Sequence, residues 1–81
     1  MVRVELRLLA GMRRLLPEAD RERGLTSMEV EQGTTTEGLL DMAGVGRGRT
    51  LIVLVNGRYA EPGRALADGD AVSVFPPVAG G

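Results

Sequence analysis

Leu66-Ala67-Asp68-Gly69-Asp70-Ala71-Val72-Ser73-Val74-Phe75-Pro76-Pro77-Val78-Ala79-Gly80-Gly81 closes the sequence and holds a turn, a strand and a tail in immediate succession. Asp68-Gly69-Asp70 has turn chemistry, a glycine between two acids. Two carboxylates at this spacing also suit metal or acid–base work, but an exposed turn before a strand accounts for them. From Ala71 to Phe75, Val72 and Val74 share one face, the period-two alternation of a half-buried strand. Pro76 and Pro77 fix φ and favour an extended, polyproline-type path. Pro76 also biases Phe75 towards extended backbone. Gly80 and Gly81 carry no side chains, so a diglycine end can thread a tunnel too narrow for other residues and present the Gly81 carboxylate to another protein's active site. At about 7% average glycine usage, two terminal glycines arise in roughly 0.5% of chains. Residues 1–75 therefore read as a domain, and residues 76–81 as an extended tail reaching up to about 20 Å from it.

Upstream, Leu51-Ile52-Val53-Leu54-Val55 is the most hydrophobic run. Its length and β-branched content predict a central strand covered on both faces. Asn56-Gly57 predicts a tight turn, and residues 58–67, with Pro62 and Gly63, an irregular segment. Thr34 with Glu37 three residues later fits a capping box, the start of a helix. Leu39, Leu40 and Ala43 supply its buried stripe, and it stops near Gly44. The loop Gly44-Val45-Gly46-Arg47-Gly48-Arg49 lacks the Gly-Lys-Ser/Thr ending of a phosphate-binding loop and the third-glycine spacing of a dinucleotide fingerprint. It also precedes a strand where both motifs need a helix, so it reads as a flexible connection. Leu25 to Glu31 alternates with Met28 and Val30 inward, and pairs antiparallel with the first strand. In that first strand Val2, Val4, Leu6 and Leu8 oppose Arg3, Glu5 and Arg7, which read as a solvated face. Between the two, Met12, Leu15 and Leu16 share a face of a short helix ended by Pro17, and residues 18–24 form a solvated connection. The order predicts a small α+β fold: a mixed sheet of four to five strands curled over one main helix, with an extra short helix after the first strand.

Composition narrows the chemistry. The 81 residues include neither cysteine nor histidine, so thiolate nucleophiles, the usual general base and the usual zinc ligands are absent. Autonomous catalysis is not expected. Net charge is −1, and Tyr59 and Phe75 are the only aromatics, so neither a basic excess nor stacking platforms support nucleic-acid binding. No apolar run approaches a membrane span and the N-terminus alternates, which makes the cytoplasm the expected compartment. All ten basic residues are arginines. Chains of copies linked through lysine are thereby excluded, although arginine-biased coding explains the feature more simply.

With these elements in order, the chain resembles the ubiquitin-like sulfur carriers of β-grasp fold, and within them the small subunit of molybdopterin synthase. The resemblance rests on Val55-Asn56-Gly57, on Leu66-Ala67-Asp68-Gly69-Asp70-Ala71-Val72 and above all on Phe75-Pro76-Pro77-Val78-Ala79-Gly80-Gly81. It is specific in the last third of the chain, and the glycine-rich loop after a short helix departs from it. The resemblance implies a carrier that binds no cofactor itself. A ubiquitin-activating-type adenylyltransferase would use ATP and magnesium to adenylate the Gly81 carboxylate. A persulfide sulfur donor would then convert it to a thiocarboxylate, which is ionised and nucleophilic at neutral pH without a neighbouring base. The tail would insert into the molybdopterin synthase large subunit, where two carrier turnovers build the dithiolene on a pterin precursor. On this reading Gly81 is the reacting residue, and Gly80, Ala79, Val78, Pro77 and Pro76 are tail contacts. Phe75 is a partner contact or a core residue.

Two other readings share parts of this pattern. A related carrier would deliver sulfur to thiazole or an amino-acid thiol, or become conjugated to protein amines. A β-grasp interaction module with an incidental diglycine would not depend on Gly81 at all.

Overall fold

The molecule, seen as a computed structural model, is described over residues 1–45 and 51–76. Five strands form one mixed sheet: β1 (Val2–Leu8), β2 (Leu25–Val30), β3 (Ile52–Val55), β4 (Arg58–Tyr59) and β5 (Ala71–Phe75). Their order is β2-β1-β5-β3-β4, with β1 and β5 parallel and every other pair antiparallel. One helix, α1 (Thr36–Met42), lies against a single face, and 3-10 turns occupy Ala10–Leu15 and Glu18–Asp20. This is the β-grasp arrangement, with the short helix after the first strand taking 3-10 form.

The alternation read in β1 is the core. Val4, Leu6 and Leu8 are each 1% exposed, and the parallel register sets Leu6 beside Val72 and Leu8 beside Val74. Val55, Val30, Met12, Leu16, Leu66, Val45 (read from sequence as part of a flexible connection) and, from α1, the fully buried Leu39 complete the cluster, with Leu40 and Ala43 packed at its margin. Truncating such a residue costs about 2–5 kcal/mol. Among the described residues no helix is long and apolar enough to cross a membrane.

Four sequence expectations change. The apolar run at β3 is not the centre of the sheet; β5 is. The β1–β2 hairpin takes one edge of β1 and parallel β5 takes the other, so β3 joins only through β5. Nor, among the described residues, is β3 covered on both faces, because α1 covers one face only. The helix cap is Thr35, whose hydroxyl accepts the Gly38 N–H at 3.1 Å. Thr34 is diverted, since its carbonyl accepts from Leu66 N–H at 2.9 Å and Thr35 bridges Ala65. Leu15 is 39% exposed; Leu16 leaves the 3-10 turn with extended backbone and is buried in its place. The connection after Pro17 contains the Glu18–Asp20 turn, fixed to β2 by the Thr26 hydroxyl donating to Asp20 Oδ2 at 2.8 Å. The rest of the glycine-rich loop, residues 46–50, lies outside the described residues.

Candidate functional site

The strand that carries the tail is anchored at its start by hydrogen bonds. Asp70 is 6% exposed. Its carboxylate accepts Ala67 N–H at 2.8 Å, Asn56 Nδ2–H at 2.9 Å and, more distantly, Arg64 Nη1 at 3.5 Å. Asn56 returns the contact, its Oδ1 accepting Ala71 N–H at 2.9 Å. The Ala67 amide, then the Asn56 amide and the Arg64 charge, hold the Asp70 carboxyl below the usual carboxylate range against the opposing effect of burial. The network is possible because Asn56 and Gly57 both take positive φ, 53° and 83°, as a two-residue hairpin turn between β3 and β4 requires. Asp68 has separate work, accepting Arg3 N–H at 2.7 Å, while Gly69 N–H donates to Arg3 O at 2.8 Å. Asp68 thus ties the turn to β1, while Asp70 ties it to the Asn56 turn after β3, and Asp70 is buried where an exposed turn residue was expected.

At the other end β5 is held by Leu9 N–H donating to Val74 O at 3.3 Å and by pairing of Phe75 with Ile52. Pro76 follows, exposed and outside regular structure. Pro77, Val78, Ala79, Gly80 and Gly81 lie outside the described residues, so of the predicted tail only its base is placed.

That base stands beside an apolar surface that the pattern of the sequence did not reveal. Val72, Val74 and Val55 face the core, so register puts Phe75, Ser73, Leu54 and Ile52 on the opposite, outer face. Tyr59 pairs with Leu54 on the same face and is 83% exposed. Phe75, Ile52 and Leu54 are half-buried, sheltering one another without belonging to the core cluster or packing against it. Phe75, left open between core and interface by its sequence position, therefore points outward. Ile52, Leu54 and Tyr59 join it only through the β3–β5 and β3–β4 registers, which no sequence period encodes. On β1 and β2 the outer face is mostly charged, with Arg3 paired to Glu29 at 2.8 Å and Arg7 to Glu5 at 2.9 Å, beside Ser27 and the half-buried Leu25.

The ThiS family model matches residues 14–81, through the end of the tail. Among solved structures, SAMP1 from Haloferax volcanii is 27% identical with a TM-score of 0.73, over 98% of this chain and 99% of that one. A Pyrococcus furiosus chain provisionally named molybdopterin converting factor, subunit 1, is 27% identical with a TM-score of 0.74, over 96% and 100%. A further structure of the H. volcanii small archaeal modifier protein 1 is 26% identical with a TM-score of 0.76, over 96% and 100%. No curated protein matches.

Proposed function

The chain belongs to the ThiS family of ubiquitin-like sulfur carriers, and from that premise we propose that it carries sulfur on Gly81 as the small subunit of a molybdopterin synthase. The observation that supports this most is that the family match runs through Gly81, the residue the chemistry uses. An adenylyltransferase partner joins the Gly81 carboxylate to the AMP of ATP and releases pyrophosphate, which turns a poor electrophile into a mixed anhydride. A donor persulfide attacks the acyl carbon and expels AMP, giving an acyl disulfide. A second thiol cleaves its S–S bond, leaving the thiocarboxylate on Gly81 and a disulfide on the donor. The chain's own contribution is delivery: the Asp70 network fixes β5, Phe75 and the apolar outer half meet the partner, and Pro76 to Gly80 carry the reacting carboxylate into it.

Intact-mass measurement under non-reducing conditions, after incubation with the native activating and sulfur-donor enzymes, tests the reading. The expected species is heavier by the difference between sulfur and oxygen, with the change located at Gly81. An unmodified carboxylate, while the same enzymes load another carrier, would overturn it. The destination is tested by binding to a molybdopterin synthase large subunit.

A second destination, conjugation to protein amines, is favoured by the similarity to a small archaeal modifier protein. Isopeptide-linked Gly81 on other proteins in cell extracts would support it, and their absence under thiocarboxylate-forming conditions would leave the sulfur-transfer reading.

A further inference from the structure

Across the chain's described arginines, most side chains are committed. Arg3, Arg7 and Arg23 pair with Glu29, Glu5 and Asp20, and Arg13 and Arg21 donate to the carbonyls of Glu22 and Leu16. Arg58 is different. It is exposed and makes no ion pair or hydrogen bond among the described residues. It lines an indentation of about 390 Å³ with Val55, Asn56, Tyr59 and Arg64. Arg64, its side chain 42% exposed, reaches only Asp70 among the described residues, at 3.5 Å. Asp70 is in turn occupied by the closer Ala67 and Asn56 donors, so most of the Arg64 fork stays open. No residue lining the notch is acidic.

We propose that Arg58 and Arg64 form a docking notch for an acidic segment of the carrier's protein partner. Two planar guanidinium forks beside an amide suit the bidentate geometry of side-chain carboxylates. Register sets Arg58 beside Val55, on the core side of β4, and Tyr59 beside Leu54, where it ends the apolar outer half, so the notch opens at the β4 edge and a partner that wraps this edge meets both. The notch lies at the Val55 end of β3, and the tail leaves beside Ile52 at the other end, about 10 Å away along the strand. An acidic contact there fixes which way round the partner sits, and hence where the tail enters. Apolar contact is non-directional and leaves that choice open. The identity of the partner rests on the carrier reading; the notch itself does not.

The test is nuclear magnetic resonance on the full nitrogen-15-labelled chain at low ionic strength, titrated with a capped tetrapeptide of alternating aspartate and glutamate. Saturable shifts are expected at the Arg58 and Arg64 side-chain N–H signals and at the Asn56 and Gly57 amides. Arg58→Glu should weaken binding about tenfold or more, while Arg14→Glu, at an exposed arginine of the first 3-10 turn, should leave it unchanged. Unshifted Val72 and Val74 amides in the variant show that the fold is retained, and Arg58→Gln replaces the variant if they move. Shifts spread evenly over Arg3, Arg7 and Arg14, or no saturation, would overturn the proposal. So would equal affinity for inorganic phosphate, which would mark a site for free oxyanions. Removing Gly81 should not alter this titration, so failure of the sulfur reading and failure of the notch are separately visible.

Discussion

The outer face of the sheet is divided between two regions of opposite character. On β1 and β2, Arg3 meets Glu29 and Arg7 meets Glu5 within 3 Å, and all but Glu5 keep half or more of the side chain in water. On β5, β3 and β4, Phe75 stands opposite Ile52, and Leu54 opposite Tyr59. Among the described residues no second layer covers either region, so the packing they make does not account for the contrast. The charged half is stable as it stands, although exposed ion pairs are worth only about 0–1 kcal/mol. The apolar half would gain about 25 cal/mol for each Å² a partner covers. On the proposed reading this apolar half, which adjoins the end of β5, is where the partner docks.

The most severe way to break the comparison is to remove Gly81. Loading and transfer of sulfur should vanish, while thermal and denaturant stability stays within about 0.5 kcal/mol of the parent. Loss of fold in circular dichroism would contradict a purely delivering role for the tail. Next, Leu54→Asp places a charge at the middle of the apolar half. Calorimetric affinity for the activating partner should fall about ten- to a hundredfold, with the isolated fold retained. An unchanged affinity would move the interface off this face.

Asp70→Asn tests whether the two halves depend on how β5 is seated. It keeps the shape but removes the carboxylate that three donors share, and denaturant unfolding should report a loss of about 1–3 kcal/mol. The pH dependence has a definite sign. Because the folded state holds Asp70 below its ordinary value of about 3.9, its contribution is full above that value. It is lost as pH falls through the lower folded value. The parent should therefore lose more stability than Asp70→Asn on acidification below about pH 4, and equal losses would show that the Asp70 carboxylate is not responsible. Asp20 is shifted the same way by the Thr26 hydroxyl and then Arg23, so a shallower acid loss remains in the variant. The smallest effect belongs to the charged half: Arg3→Ala should change stability by less than about 0.5 kcal/mol and leave partner affinity unaltered. A large loss of affinity there would erase the distinction between the halves.

Much of this was legible in the order of residues. Val4, Leu6, Leu8, Val72 and Val74 announce their strands by alternation, and Asn56-Gly57 and Asp68-Gly69-Asp70 announce their turns, because those signals are local. The helix was legible within one residue, and the shift from Thr34 to Thr35 follows from contacts with residues 65 and 66, thirty positions away in sequence. The candidate site was half legible. The diglycine and the prolines before it are the whole basis for the proposed tail, of which the described residues include only Pro76. The surface beside it was hidden, because an apolar run such as Ile52 to Val55 reads the same whether both faces are covered or one awaits a partner.

The sequence by itself determined the elements, the turns and the residue at which chemistry is proposed, since backbone preference, side-chain period and the absence of a Cβ act within a few residues. Tertiary structure alone decided that β5 lies at the centre, that Asp70 is buried and hydrogen-bonded, and that Phe75, Ile52, Leu54 and Tyr59 share one face. Those outcomes are set by strand pairing between distant segments, whose free energy depends on which edges and faces remain unfilled once the nearer pairs have formed.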